Sequence, residues 1–265
     1  MLLQNKVAVI FGGSGAVGRA IAQSMAQEGA HLWLAGRDAA KLAEAAAAIR
    51  TNGGAVETFT VDVLDEHLCA ARIAERFPQR GGIDIVVNAC AFRHNQGKGL
   101  LELSLAEFRQ GFDPCLTAQL TIAKAVVPKM GGERPGVLLT VIAPAGPLAI
   151  PGHLGHIVGC AGTEAFIKAL ASEVGAKNIR VLGVRSHAMV DAVAADSLTT
   201  ALFVEKAQAL GLSVEAWLEG AAGSTMLQRL PTRSQVADTL TFLASDRAGA
   251  MTATIVNITA GMTLS

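Results

Sequence analysis

Tyrosine is absent from this 265-residue chain, so no phenol is available as a catalytic acid or base. Cysteine is sparse. Cys69, Cys90, Cys115 and Cys160 lie far apart and form no C-x-x-C pair, which argues against a redox dithiol or a disulfide framework and points to a reducing, cytoplasmic setting. Neither sign of charge dominates, with 22 basic residues against 22 acidic ones. A broad basic surface for nucleic acid or anionic membrane is therefore not expected. Long hydrophobic runs are missing too. The longest apolar tract, Val137–Ile150, is too short to span a bilayer and contains Pro144 and Pro147. The N-terminus reads as a first strand, not as a leader. What is present is apolar bulk, 51% of residues, enough for one large α/β domain over residues 1–265.

The most informative stretch is Lys6–Ala22. An apolar, β-branched run, Val7–Phe11, leads into Gly12, Gly13 and Gly15, and then into an Ala-rich helical pattern carrying Gly18 on its first turn and Ile21 and Met25 on one face. Gly13-x-Gly15-x-x-Gly18, placed between a strand and a helix, fits a dinucleotide-binding turn: the glycines admit a pyrophosphate and the helix N-terminus holds it. Further along, apolar runs alternate with helical patterns, which predicts βαβ units and a parallel sheet. Strands are expected at 31–35, 56–61, 83–87, 137–142, 179–184 and 254–258. Asp38 is expected to cap a helix that Asn52-Gly53-Gly54 ends, Ser104-x-x-Glu107 to open a long helix reaching Met130 with a kink at Pro114, and Thr232-x-x-Gln235 to open the last helix. Between strands, a loop at 91–99 holds Arg93, His94 and Lys98. The segment Met189–Leu230, helical in patches and bearing Phe203, Trp217 and Met226, suits either a lid over a cleft or a packed helical hairpin.

These landmarks together resemble the short-chain dehydrogenase/reductase family from end to end: the glycine loop, Gly36-Arg37, Asp62-Val63, Asn88-Ala89, the helix ending Lys168-Ala-Leu-Ala-Ser-Glu173, and Phe242-Leu-Ala-Ser-Asp246. The resemblance implies a Rossmann-type, doubly wound, seven-stranded parallel sheet with helices on both faces, dimeric or tetrameric assembly, and hydride exchange between NAD(P) and an alcohol or carbonyl. It places Gly12, Ser14, Gly15, Val17 and Gly18 at the phosphates, with Ala16 where the family has a glycine. It places Asp62 and Val63 at the adenine, and Asn88 and Ala89 nearby. Gly36 stands where an NAD-preferring member carries an acid, and Arg37 follows it. An arginine can pair with a 2′-phosphate, so NADP(H) is favoured over NAD(H). Gly159, Ala161 and Gly162, on a helix that packs against its copy in the family, suggest close approach of a partner and hence a homo-oligomer.

The resemblance fails at the catalytic tetrad of Asn, Ser, Tyr and Lys. Cys115 aligns with the Asn, Ala143 with the Ser, His156 with the Tyr and Cys160 with the Lys. The Pro-Gly pair after the sixth strand reads Ser186-His187. Histidine has an unperturbed pKa near 6.5 and needs no lysine to tune it, so His156 is a candidate general acid/base; the alternative is a polar residue in an idle cleft. Cys115 and Cys160 read either as facing thiols or as small buried hydrophobes. His153, His156 and Cys160 share a helical face and are metal-ligand types, but the dinucleotide claims that space and no metal is expected. Three functions follow: an NADP(H)-dependent oxidoreductase with a non-standard active site acting on a small, hydrophobic molecule; a catalytically inactive homologue serving as a nucleotide-binding or regulatory subunit; and a non-redox dehydratase or isomerase using His156 or His187.

Overall fold

The computed structural model describes residues 1–192 and 198–264. In chain order the elements are β1 Val7–Phe11, α1 Ala16–Gln27, β2 His31–Gly36, α2 Ala39–Thr51, β3 Val56–Thr60, α3 Glu66–Arg76, β4 Ile85–Asn88, α4 Leu105–Gln110, α5 Asp113–Val126, β5 Gly136–Ile142, α6 Leu154–Val174, β6 Ile179–Ser186, α7 Leu198–Ala209, α8 Val214–Gly223, α9 Arg233–Ala244 and β7 Thr254–Ile258. The seven strands pair in the order β3-β2-β1-β4-β5-β6-β7, parallel throughout. This is the doubly wound Rossmann-type sheet expected from the sequence.

Both faces of the sheet are covered, which is why its strands read as continuous apolar runs rather than alternating ones. Along β1, Ala8 and Ile10 join one buried cluster with Ile21, Met25, Leu42 and Leu240. Val9 and Phe11 join the other with Ile73, Ile122 and Ile167. All strands end on one rim, and the order reverses between β1 and β4, where sheets of this kind leave a crevice. The expected caps form: the Asp38 carboxylate accepts the Lys41 N–H at 3.0 Å, and Ser104–Glu107 and Thr232–Gln235 make reciprocal capping boxes. No described helix is long and apolar enough to cross a membrane.

One expectation needs correction. The helix from Ser104 is not one kinked helix reaching Met130. It stops at Gln110 and restarts at Asp113, with Pro114 in the first turn of α5. Proline lacks the N–H that a helix interior needs but is well suited to a helix start, so the chain breaks rather than bends. Gly159 also has a use within the chain: a side chain on it would run into the Gly111 carbonyl, and one on Gly162 would come to 3.3 Å from Leu116. In the segment 189–230, α7 and α8 replace the irregular patches; residues 193–197 of it lie outside the described residues.

Candidate active site

The glycine turn sits at the rim end of β1. Gly12 has φ +76, and a Cβ there would lie 2.7 Å from the Ala89 carbonyl oxygen; a Cβ on Gly18 would collide with the Gly12 carbonyl. The turn is thus a cradle that only glycine allows at these positions, with the N-terminus of α1 behind it. Arg19 braces it. Its Nε donates to the Ser14 carbonyl at 2.9 Å, and its guanidinium forms a fork with Glu44 at 2.8 and 3.0 Å. This brace was not anticipated from the sequence. Asn88 is buried at the end of β4, and its side chain accepts the Cys90 N–H at 3.1 Å. Arg37 is exposed and makes no ion pair among the described residues. A Cβ on Gly36 would lie in ordinary contact with the Ser14 hydroxyl at 3.5 Å and with Leu42 at 3.6 Å, so Gly36 borders both. Asp62 turns the chain after β3, accepting the Leu64 N–H at 3.0 Å. A glycine cradle, an open helix N-terminus and an uncommitted guanidinium on one rim form a donor set that suits a phosphorylated dinucleotide.

Beside this rim lies a cavity of about 310 Å³, and all four altered tetrad positions, Cys115, Ala143, His156 and Cys160, line it. So do Val17, Asn88 and Ala89. Gly12, Ser14, Arg37, Asp62 and Val63 do not; they belong to the outer part of the rim. Close backbone contact sets the inner wall. A Cβ on Gly111, between α4 and α5, would meet Gly155 and lie 2.7 Å from the His156 nitrogen, and one on Gly155 would lie 2.5 Å from the Phe108 carbonyl. The break before Pro114 is therefore seated directly on α6, and this seats the Cys115 sulfur beside Gly159, 3.1 Å from where a Cβ there would stand. On the other side the Gly97 N–H donates to the Gly152 carbonyl at 2.9 Å, which draws the 91–99 loop onto the start of α6.

That contact carries His94 over His156, and their rings stack with centroids 3.8 Å apart and planes 3° apart. The His94 Nδ1–H donates to the Phe92 carbonyl, and its Nε2 accepts from Gln96, so this ring is neutral. Burial pushes the His156 pKa down to about 3, with His94, His153 and Lys206 adding to the effect. His94, His153 and His187 are lowered as well, burial again being the main cause. The environment thus keeps His156 neutral, well below the imidazole's value in water. The thiols are neutral for the same reason. Cys160 is pushed up to about 12, and Cys115 is raised. They behave as small buried groups, not as thiolates. Ala143 offers no donor.

Sequence reasoning missed Lys206. It reaches the cavity from α7, where burial lowers its pKa, and its ammonium lies 5.5 Å from the centre of the Trp217 ring. Its place could not be read from spacing, because where α7 lies over the strand ends is set by packing and not by a local motif. Behind the cavity Arg185 is buried, its guanidinium donating to both oxygens of Glu164 at 2.9 and 2.8 Å.

Comparison with known proteins agrees with the architecture. The chain is 29% identical to 3-oxoacyl-[acyl-carrier-protein] reductase FabG of Chlamydia muridarum, over 98% of each chain. It is 27% identical to dehydrogenase/reductase SDR family member 4 of Oryctolagus cuniculus, over 98% of this chain and 94% of that one. A structure assigned to the short-chain dehydrogenases/reductases from Burkholderia xenovorans superposes with a TM-score of 0.84 at 25% identity, covering 98% and 97% of the two chains. One from Mycobacterium ulcerans, at 21% identity, shares the fold with the same score over 99% and 91%. The sequence profile described as Enoyl-(Acyl carrier protein) reductase matches residues 13–263, so the chain belongs to that branch of the short-chain dehydrogenase/reductase family of oxidoreductases.

Proposed function

We propose that this chain is an NADP(H)-dependent oxidoreductase acting on the carbonyl or alcohol of a small hydrophobic molecule in the His156 cavity. One observation carries the reading: the four positions that replace the catalytic tetrad, brought from α5, β5 and α6, line a single cavity together with Val17, Asn88 and Ala89 of the cofactor rim. The turn Gly12–Gly18 and the N-terminus of α1 would hold the pyrophosphate, Asp62 and Val63 the adenine, and Arg37 a 2′-phosphate. A bound nicotinamide supplies the hydride. The chain supplies orientation, exclusion of water and a relay for one proton. His156, neutral at rest, hydrogen-bonds a substrate oxygen. In alcohol oxidation the neutral imidazole accepts the hydroxyl proton as the carbonyl forms and passes it to solvent; in carbonyl reduction negative charge building on the oxygen raises the basicity of the imidazole, which takes a proton from solvent and gives it to that oxygen. The reading extends to a single domain and to a homo-oligomer, dimer or tetramer; exposed Leu120 on α5 and Leu154 and Val158 on α6 support assembly.

A second reading, a nucleotide-binding subunit without catalysis, is favoured by the absence of any donor at Ala143 and by the neutrality of His156. Calorimetric titration with NADPH, NADP⁺, NADH and NAD⁺ tests both. The expected result is binding of the phosphorylated forms in preference to the others, followed by NADPH oxidation with a hydrophobic aldehyde or ketone panel. NADPH binding with no turnover on such a panel favours the second reading, and binding of none of the four removes both.

A further inference from the structure

The cavity is lopsided in charge. Among the described residues no aspartate or glutamate lines it, and Lys206 is the one side chain there that carries a formal charge. Its neighbour Glu205 is no counter-ion for it, because Glu205 lies at the surface and pairs with Arg93 at 2.9 Å. In place of a carboxylate, Lys206 faces the Trp217 ring. Lys206 is half-buried. Holding an ammonium against an apolar wall without an anionic partner is costly, and groups in that condition concentrate where a ligand completes them. Two further imidazoles are incompletely used. The Nε2 atoms of His153 and His187 are buried with no hydrogen-bond partner, and both residues line the cavity. His187 accepts the Ala188 N–H on Nδ1 at 2.7 Å, so its Nε2 carries the proton and is a second donor. The rest of the lining is apolar, with Leu148, Ile150, Leu202, Phe203 and Trp217 prominent.

We propose that this cavity selects a monoanionic, otherwise apolar substrate, a carboxylic acid whose carboxylate is received by the Lys206 ammonium while its hydrocarbon part lies against Phe203 and Trp217. The inference rests on the cavity being the substrate site, as proposed above, and narrows the substrate to a hydrophobic acid that also bears the reacting carbonyl or alcohol. One cation calls for one negative charge, so a carboxylate matches where a phosphate dianion does not. The cofactor's phosphates do not account for Lys206, because Gly12–Gly15 lie outside the cavity lining and supply their own donors.

Octanoate, with octanamide as its uncharged counterpart, probes the site directly. Calorimetry on the full chain, with and without NADPH, is expected to show octanoate binding at least tenfold tighter than octanamide. In Lys206→Met that preference disappears, while NADPH affinity and the melting temperature hold. Lys206→Arg, which keeps the charge, restores it and guards against a folding defect in the methionine variant. Equal binding of octanoate and octanamide to the unsubstituted chain overturns the proposal. So does a K206M variant that loses NADPH affinity but keeps the carboxylate preference, since Lys206 would then serve the cofactor. The two proposals fail separately. NADPH binding without octanoate preference leaves the oxidoreductase reading intact; octanoate preference without any nicotinamide nucleotide binding removes that reading and keeps the anion site.

Discussion

His156 shows how far an environment can move a residue from its value in water. In water an imidazole titrates near pH 6.5; here burial, with the charges of His94, His153 and Lys206 adding to it, pushes the pKa down to about 3. His94, His153 and His187 shift in the same direction. The unfolded chain therefore binds more protons than the folded one as pH falls below about 6.5, and stability must fall with it. Stability is full above that pH and declines as the solution is acidified toward the folded-state values. Denaturant midpoints are expected to drop between pH 7.5 and 5, and His156→Phe, which keeps a ring against His94, is expected to flatten that decline. An unchanged slope in H156F would show that His156 is not among the groups responsible. Arg37 offers a second test at this scale. An arginine–phosphate contact contributes roughly 1.5–3 kcal/mol, so Arg37→Ala should weaken NADPH binding by about tenfold or more and leave NADH unchanged in the same titration.

At the scale of elements, the strands and caps were legible because their signals are local. Val7–Phe11 and Thr254–Ile258 are apolar runs closed by turn residues, and Asp38, Ser104 and Thr232 announce helix starts that form as read. Pro114 marked a real discontinuity, but whether a proline bends a helix or restarts it depends on what packs beside it. Here Gly111 and Gly155 bring the break down onto α6. Gly159 makes a related point: small residues signal close approach but do not say to what, and here one neighbour is the Gly111 carbonyl of the same chain. Two alanine substitutions separate these cases. Gly159→Ala forces a methyl group against the Gly111 carbonyl and is expected to cost about 1–3 kcal/mol by urea denaturation. Gly175→Ala, with nothing within 4 Å and a helical backbone, should be neutral or stabilise by about 0.4–1 kcal/mol.

Across the whole molecule, the fold and the rim were readable because parallel βαβ order carries strand ends to one edge. The charge of the cavity was not, because Lys206 and His94 arrive from segments whose positions depend on tertiary packing. The assembly proposal belongs at this scale as well. Sedimentation at micromolar concentration is expected to give a dimer or tetramer; a monomer there would remove it. The bond between Gly97 and Gly152 has a mechanical consequence. Backbone meets backbone at that point, with Cα of Gly97 only 2.7 Å from where a Cβ on Gly152 would stand. No side chain is interposed to yield, so the 91–99 loop and the first turn of α6 behave as one stiff jamb. Arg93 of the same loop pairs with Glu205 of α7 at 2.9 Å, so that jamb is tied to a third element, and a push on any one of the three is passed to the wall that holds His156.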